Sequence, residues 1–434
     1  MTGASATAAV PAAGPQDPAA EAPGAAEPRA SRPQGDAAAS ARAGAVCGSD
    51  AAEPPFFSII VPVHNVEGYL DEALESACGQ TFANIEILCV DDGSTDGSAA
   101  ILARWAARDG RIRLFSQANR GVSAARNVGL DAARGEVVMF LDGDDRLDRR
   151  ACERLRGVFD RERPDIVTFG ARCFPDGAAS RHLEECLSPR DALYEGFDED
   201  ILFKENSRPY MWRSAFSRRL LDAGGVRFPE GLPVGEDQVF YFSAYPRSAK
   251  TAFLSDKLYE YRAARGGSAM DAAGGDDLAR VRDHVAVVEA IAGEWAEQGW
   301  FARYGWQALG WLAEFVALDL HSLPEPDRSE LKARAGAALR RAVEGALPGA
   351  GGREDDAPDE DGEDGAGGAP ARLSAALAKL PFRPATRAVL ADLMGLEGAA
   401  PAGTATLLRF YLERRGIAAC ARRVLESVKG RLVG

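Results

Sequence analysis

The sequence predicts an α/β fold in which a mostly parallel sheet is flanked by helices and followed by C-terminal helical segments. Short apolar runs alternate with segments of helical periodicity from Phe56 onward, as in folds built from strand–helix–strand units. The runs are apolar throughout, which is typical of strands covered on both faces. Polar residues directly follow three of the runs, at the strand ends where open α/β sheets bind ligands.

Four predicted strands alternate with three predicted helices in the first part of this region. The strands are Phe57–Val63, Ile85–Val90, Arg111–Phe115 and Val137–Leu141, and the helices are Glu67–Gly79, Ala99–Arg108 and Val122–Arg134. Weaker patterns predict further elements downstream. These are strands at Asp165–Gly170 and Thr251–Leu254, a helix at Val239–Tyr245, and mostly helix from Leu278 to Leu347.

Composition divides the 434-residue chain into five segments. Residues 1–55 are rich in Ala, Pro and Gly, and we expect them to be disordered because they can bury little apolar surface. The α/β domain is predicted for residues 56–268 and a helical extension for residues 269–347. An acidic, Gly-rich linker is predicted for residues 348–372, and a small helical segment for residues 373–434.

Bulk properties limit the partners and the compartment. The net charge of −14 disfavours a nucleic-acid partner, because an acidic surface repels phosphates. The seven cysteines are scattered without a Cys-x-x-Cys pair, which fits a reducing compartment. No apolar run is long enough for a transmembrane helix, and we find no signal peptide. We therefore expect a cytoplasmic protein, whose substrate can still be a lipid at the inner face of the membrane.

Asp142-Gly143-Asp144 is the first candidate site. Two carboxylates one residue apart can reach one Mg²⁺ or Mn²⁺ ion, which prefers oxygen ligands and commonly bridges to a diphosphate. The spacing alone is a weak signal, because Asp198-Glu199-Asp200 repeats it in a segment expected to be solvated. The position directly after a buried strand is what favours a metal site.

Three further positions each allow two interpretations. Asp92 follows the second strand and is either part of a helix-capping turn or a ligand of a nucleobase or ribose. His64 follows the first strand and either packs locally or stacks on a base. Glu236 and Asp237 stand at a predicted helix start, where acidic residues are common for dipole reasons, but Asp237 can also be a general base.

Several familiar nucleotide and catalytic motifs are absent from the sequence. It has no Gly-x-x-x-x-Gly-Lys-Ser/Thr loop, no Gly-x-Gly-x-x-Gly after the first strand and no Gly-x-Ser-x-Gly elbow. Their absence disfavours kinase-like, dehydrogenase and hydrolase functions. The segment Val63–Gly68 also lacks the Gly-rich basic loop of many nucleotidyltransferases.

An ordered set of motifs extends over about half of the chain. The motifs are Ser58–Asn65, Gln80-Thr81-Phe82, Val90–Ser98, Asn119–Gly129, Gly135–Asp145, Gly235-Glu236-Asp237 and Tyr261-Arg262. In this order and spacing they resemble the family 2 glycosyltransferases of bacterial cell-surface polysaccharide synthesis, which have the GT-A fold. One departure is Gly143, where the family often has Ser.

The resemblance implies a role for each matching residue. Asp237 would be the catalytic base with Glu236 beside it, and Asp144, helped by Asp142, would hold the metal. Asp92 and His64 would contact the nucleobase, and Arg262 would meet the diphosphate. The full set implied to bind the nucleotide is Val61, Pro62, His64, Asp92, Arg126, Asp142, Gly143 and Arg262.

The resemblance also implies an activity. Mg²⁺- or Mn²⁺-dependent, inverting, hexosyltransferase-like transfer would move a sugar from a nucleotide-diphosphate sugar, most commonly a UDP-sugar, to a hydroxyl of a glycan or lipid-linked acceptor. The alternative is a non-catalytic, nucleotide-binding scaffold descended from such an enzyme. The basic C-terminal residues, among them Arg414 and Arg415, fit either a bundle that covers the core or peripheral association with an anionic membrane.

Overall fold

The computed structural model describes residues 53–205, 207–208, 210–263, 277–346 and 369–415. Most of the tail predicted for residues 1–55 lies outside the described residues. So do most of the linker predicted for residues 348–372 and the last part of the segment predicted for residues 373–434.

Nine strands of the described residues form one sheet. They are β1 (Phe57–Val63), β2 (Ile85–Asp92), β3 (Ile112–Gln117), β4 (Val137–Phe140), β5 (Arg146–Leu147), β6 (Ile166–Phe174), β7 (Ala192–Glu195), β8 (Ser214–Ser217) and β9 (Lys250–Arg262). Their order is β3-β2-β1-β4-β8-β6-β9-β5, and β7 pairs with β9.

The predicted α/β fold is confirmed, and the sheet is parallel in its first half. β1 pairs in parallel with both β2 and β4, and β2 with β3, so the carboxyl ends of these strands share one edge. Beyond β4 the sheet is mixed, because β8 runs antiparallel between β4 and β6. β9 then pairs in parallel with β6 and antiparallel with β5.

Helices cover the sheet and continue beyond it. They are α1 (Leu70–Cys78), α2 (Ser98–Ala106), α3 (Val122–Ala132), α4 (Ala151–Glu162), α5 (Arg181–Cys186), α6 (Glu199–Phe203), α7 (Arg218–Ala223), α8 (Glu236–Ala244), α9 (Asp277–Glu297), α10 (Trp300–Ser322), α11 (Asp327–Gly345), α12 (Ala369–Lys379) and α13 (Pro384–Leu393). Residues 404–415 are also helical.

Several elements differ in extent from the prediction: for example, β6 continues from the predicted Gly170 to Phe174, and α8 begins at Glu236 instead of Val239. α1 begins at Leu70 instead of Glu67, because the backbone N–H of Glu67 donates to Asp96 and holds this segment against the loop after β2. β9 continues from the predicted Thr251–Leu254 to Arg262, past polar residues that weaken the apolar pattern. The longer strand carries Arg262 to the acidic loop after β4.

The helical extension packs on the sheet domain through α8. Trp295 of α9 is fully buried, and its indole N–H donates to the carbonyl oxygen of Phe242 at 2.9 Å. The C-terminal helical residues pack on α10, where the Tyr411 hydroxyl donates to the carbonyl oxygen of Glu314 at 2.8 Å. Among the described residues, no helix combines the length and the apolar character needed to span a membrane.

Candidate active site

The carboxyl ends of β1 and β2 bring His64 and Asp92 together, as the strand order predicts. The His64 Nδ1 atom lies 2.9 Å from the backbone carbonyl oxygen of Asp92. The His64 Nε2 atom lies 3.2 Å from the side-chain amide nitrogens of both Asn65 and Asn119. The exposed imidazole is thus oriented at the sheet edge by three polar groups, from the end of β2, the neighbouring Asn65 and the loop after β3.

The Asp92 carboxylate anchors the loop that leads into α3. It accepts hydrogen bonds from the Gln117 side chain at 2.7 Å and from the backbone N–H groups of Arg120 and Gly121 at 2.8 Å. Asp92 is only 3% exposed. These contacts hold the loop before α3 and do not cap α2, the helix that follows β2, so any nucleotide contact of Asp92 would be added to them.

Val61 and Pro62 are buried in β1, in contrast to exposed His64. Only their backbone can approach a ligand from within the sheet. Gly143 lies against the same strand end, because a Cβ built there would come within 3.4 Å of the Pro62 carbonyl oxygen. The same Cβ would lie 3.0 Å from Val66 Cγ2, so this chain has little room for a larger residue beside its acidic loop.

The loop after β4 collects three carboxylates: Asp142, Asp144 and Asp145. Burial raises the pKa of Asp142, and the neighbouring Asp144 charge raises it further, whereas Arg126 opposes the shift. Burial, Asp144 and Asp142 together raise the pKa of Asp145 well above its ordinary value. The mutual repulsion of these groups shows that the loop favours a nearby positive charge.

Arg126 supplies part of that charge from α3 and links the two acidic segments. Its Nη1 donates to Glu236 at 2.8 Å and its Nη2 to Asp142 at 3.1 Å, and the side chain is 5% exposed. Although burial opposes it, the Asp142 and Glu236 carboxylates raise the pKa of Arg126 above its ordinary value. Arg126 therefore stays charged and brings the loop after β4 to the start of α8.

Glu236 and Asp237 form the first turn of α8, and Gly235 determines where that turn begins. Gly235 has a φ of 88°, and a Cβ there would lie 2.7 Å from Val287 Cγ2. The Asp237 carboxylate accepts the Tyr210 backbone N–H at 3.0 Å. Burial raises the pKa of both carboxyls, and the Asp237 charge adds to the rise at Glu236. A raised pKa makes Asp237 a stronger base.

Arg262, at the end of β9, contacts the opposite side of the acidic loop. Its Nε donates to the carbonyl oxygen of Asp144 at 2.8 Å, and its backbone N–H donates to Asp145 at 2.7 Å. A guanidinium nitrogen pairs with Glu72 at 2.9 Å, and the group lies over the Phe174 ring. Arg262, which is predicted to contact the diphosphate, thus lies beside the residues that are predicted to hold the metal.

Sequence reasoning missed four residues that support this site. Asp145 accepts the Tyr259 hydroxyl at 2.9 Å, and that hydroxyl accepts the Asp142 backbone N–H at 3.1 Å. Tyr210 holds Asp237, and Trp212 stacks on Tyr259 with ring centroids 4.1 Å apart. Tyr259 and Tyr261 follow the two-residue period of a strand, which was the one signal available in the sequence.

The donor set fits a divalent cation held partly by substrate. Within the part of the chain that the structure describes, no group of three or more His, Cys, Asp or Glu side chains is arranged to hold a metal. Asp145 already accepts two hydrogen bonds, so Asp144 and Asp142 are the suitable carboxylates. Mg²⁺ is commonly held by one or two carboxylates together with substrate phosphates.

A cavity of about 760 Å³ lies away from all of these residues. Its lining includes Phe56, Glu136 and Asp165, which directly precede β1, β4 and β6. It is therefore at the amino ends of the strands, whereas ligands of open α/β sheets bind at the carboxyl ends. We assign it no part in the site.

A family model described as glycosyl transferase family 2 matches residues 58–223. Glu236, Asp237 and Arg262 follow the matched region. EpsJ of Bacillus subtilis strain 168, an uncharacterized glycosyltransferase, is 34% identical over 210 residues, which are 48% of this chain and 61% of EpsJ. TarS of Staphylococcus aureus strain Mu50, a poly(ribitol-phosphate) β-N-acetylglucosaminyltransferase, is 29% identical over 220 residues, 50% of this chain and 37% of TarS.

Solved structures of S. aureus TarS 1-349 share the fold. The complex with UDP superposes with a TM-score of 0.54 at 20% identity, covering 79% of this chain and 87% of that one. The complex with UDP-GlcNAc gives a TM-score of 0.51 at 22% identity, covering 67% and 81%. Over residues 58–223 the chain is thus similar to the family 2 glycosyltransferases, it shares the fold of TarS 1-349, and it spans less than two thirds of the length of EpsJ and of TarS.

Proposed function

We propose that the protein is a metal-dependent, inverting glycosyltransferase that moves a sugar from a UDP-sugar to a hydroxyl of a glycan or lipid-linked acceptor. The observation that carries this proposal is the Arg126 bridge, which joins Asp142 of the predicted metal loop to Glu236, the neighbour of the predicted base. A base and a diphosphate site must adjoin for displacement at an anomeric carbon, and the bridge supports the proposal because it joins the two segments to which these roles are proposed.

Asp237 takes the proton from the acceptor hydroxyl, which attacks the anomeric carbon opposite the leaving diphosphate. Burial supports this role because it raises the carboxyl pKa, and the Tyr210 N–H orients the group. Glu236 is paired with Arg126 and therefore has a positioning role. Most of the rate gain would come from orientation and charge stabilisation.

On the donor side, His64 and Asp92 border the nucleoside site, and Arg262 faces the diphosphate from β9. Asp144, with Asp142, would hold Mg²⁺ or Mn²⁺, which when bound neutralises charge on the leaving diphosphate. The choice of UDP rests on TarS, whose fold is shared and whose structures contain UDP and UDP-GlcNAc. We further propose a cytoplasmic site of action, at the inner face of the membrane for a lipid-linked acceptor.

Release of UDP from a panel of UDP-sugars tests the proposal without a known acceptor. We expect slow release from one or two donors with Mn²⁺ or Mg²⁺, and at least a tenfold loss with chelator or in Asp144→Ala, about 1.4 kcal/mol of transition-state stabilisation. Calorimetry with UDP and metal accompanies the assay. Absence of both release and UDP binding would contradict the proposal, and UDP binding without turnover on any donor or acceptor would favour the scaffold alternative.

A further inference from the structure

Four aromatic side chains form a continuous stack between the predicted base and the acidic loop. We call this stack the aromatic wall, and its members are Tyr210, Trp212, Tyr259 and Tyr261. Trp212 stacks on Tyr259 at 4.1 Å and on Tyr261 at 5.2 Å, with interplanar angles of 17° and 13°. Tyr210 lies at 5.4 Å from Trp212 and 5.9 Å from Tyr261, in tilted contacts.

Hydrogen bonds tie the two ends of the aromatic wall to the two halves of the site. At one end the Tyr210 backbone N–H donates to Asp237 at 3.0 Å. At the other end the Tyr259 hydroxyl donates to Asp145 and accepts the Asp142 N–H. The wall therefore spans the distance between the atoms that would activate the acceptor and those that would hold the donor diphosphate.

Two members of the wall are buried, and the other two are partly exposed. Tyr259 is fully buried and Trp212 is 4% exposed, whereas Tyr210 and Tyr261 are partly exposed. Burial raises the pKa of the Tyr261 phenol, and so do Tyr210 and the Asp142, Asp144 and Asp145 carboxylates. Tyr261 therefore lies within electrostatic reach of the acidic loop and is itself partly exposed.

Tyr210 is held in place by its backbone. It has a φ of 73°, which is rare for a residue with a large side chain. Its N–H donates to Asp237, and its carbonyl oxygen accepts the Tyr241 hydroxyl at 3.1 Å. An unusual conformation maintained by bonds on both sides is a feature of functional sites, where it fixes a side chain in one orientation.

We propose that the aromatic wall is the subsite for a neutral pyranose ring of the acceptor, with Tyr210 and Tyr261 as its contact surface. A pyranose presents a flat face of C–H groups, which packs favourably on the electron-rich face of an aromatic ring. A ring seated there places its hydroxyl groups beside Asp237. A linear alditol phosphate has no such face, so the wall favours a cyclic sugar. This inference rests on the proposed function.

Saturation-transfer NMR on the full chain with UDP and Mg²⁺ tests the subsite. The probes are methyl β-D-glucopyranoside, methyl β-D-galactopyranoside and methyl N-acetyl-β-D-glucosaminide, compared with ribitol 5-phosphate and glycerol 3-phosphate. We expect saturation of ring C–H protons for at least one pyranoside. Tyr261→Ala should weaken its binding about tenfold, whereas Tyr261→Phe, which keeps the ring, should stay within about twofold.

Three results would overturn the inference: no pyranoside signal in the parent protein, equal signals from the alditol phosphates, or unchanged pyranoside affinity in Tyr261→Ala. Calorimetric titration of UDP on the same samples keeps the two proposals distinguishable. If the parent protein binds UDP but no pyranoside, only the subsite inference is overturned. If the parent protein does not bind UDP, the proposed function is contradicted. Retained UDP affinity in Tyr261→Ala also shows that the variant is folded.

Discussion

At the residue scale, the site depends on charges that are buried together. Arg126 is 5% exposed and contacts Asp142 and Glu236, which are 26% and 13% exposed. A buried ion pair adds little net stability, but removing one partner leaves the other charges without compensation. Arg126 therefore holds the loop after β4 and the start of α8 in one arrangement, and the carboxylates of these two segments would repel each other without it.

Replacing Arg126 by Met tests this dependence. We expect the free energy of unfolding to fall by about 3–5 kcal/mol, the usual result of leaving buried charges unpaired. Chemical denaturation measures it. Arg120→Met is the matched control, because Arg120 is 56% exposed in its pair with Glu230 and should contribute at most about 1 kcal/mol. Similar losses in both variants would contradict the special role of Arg126.

Asp237→Asn should separate activity from stability. Because burial raises the folded-state pKa of Asp237, the unfolded chain loses this proton first as the pH rises. This group's contribution to stability is therefore greatest at low pH and is lost as the pH rises through the raised pKa. Asn carries no charge, so the variant should melt about 2–4 °C above the parent at pH 8, with a smaller gain at pH 5.

The same variant should bind UDP like the parent and lose sugar transfer. In the parent, transfer should decline as the pH falls, with a midpoint above 3.8, the ordinary value for Asp. Thermal scans at the two pH values and a pH–rate profile provide the measurements. A variant that transfers sugar at the parent rate would refute Asp237 as the base, and a larger gain at pH 5 than at pH 8 would refute the raised pKa.

At the element scale, the start of α8 decides where Asp237, the proposed base, lies. The helix can begin at Glu236 because Gly235 has a φ of 88°, which a residue with a Cβ rarely adopts. Val287 of α9 fills the space beside Gly235. The helical extension thus helps to fix the first turn of α8, even though it is remote in sequence from the motifs of the α/β domain.

Gly235→Ala should displace the first turn of α8. We expect a loss of about 2–4 kcal/mol in the free energy of unfolding, from backbone strain and the 2.7 Å approach to Val287 together. UDP-sugar turnover should fall at least tenfold, since Asp237 moves with the turn. Gly231→Ala is the matched control, with a φ of 78° and no atom within 4 Å of the added Cβ.

Gly231→Ala isolates the backbone effect. It should lower the free energy of unfolding by only about 1–2 kcal/mol and leave UDP-sugar turnover near the parent level. Denaturation curves and UDP release report the two effects separately. Equal losses of turnover in both glycine variants would show that the position of α8 does not depend on the contact with Val287.

At the scale of the whole molecule, the described C-terminal helical residues pack against α10 and extend the hydrophobic core. Glu314 of α10 pairs with both Arg414 and Arg415, and its backbone carbonyl accepts the Tyr411 hydroxyl. Phe410 is fully buried in the same packing. These contacts favour the bundle interpretation for the described part of this segment, because Arg414 and Arg415, which the membrane interpretation would use, both pair with Glu314.

The double variant Arg414→Ala/Arg415→Ala tests this assignment. Glu314 is 6% exposed and would lose both cations, so we expect a loss of about 1–3 kcal/mol in the free energy of unfolding, discounted because Arg415 is 45% exposed. Arg409→Ala, at an exposed position of the same helix, should change stability by less than about 0.5 kcal/mol.

Flotation with anionic liposomes separates the two interpretations of this segment. The bundle interpretation predicts that Arg414→Ala/Arg415→Ala loses stability and floats with liposomes to the same extent as Arg409→Ala. Selective loss of flotation in the double variant, with unchanged stability, would instead support a membrane surface.

The α/β fold and the edge of the sheet that carries the site could be predicted because they follow from local pattern. Apolar runs of strand length, separated by helix-periodic segments, specify buried parallel strands, and their carboxyl ends must meet. His64, Asp92 and Asp144 were therefore expected at this edge from their position in the sequence alone. The mixed half of the sheet was less predictable, since polar residues such as Ser255 interrupt the pattern of β9.

What the sequence by itself determined was the fold class, the family resemblance and the residue types available for chemistry, because these depend on local spacing. The tertiary structure alone decided which groups meet: Arg126 with Asp142 and Glu236, and the aromatic wall with Asp237 and Asp145. These contacts join residues far apart in the chain. Their pKa values and orientations depend on burial and on neighbours, which arise only when the separate segments pack together.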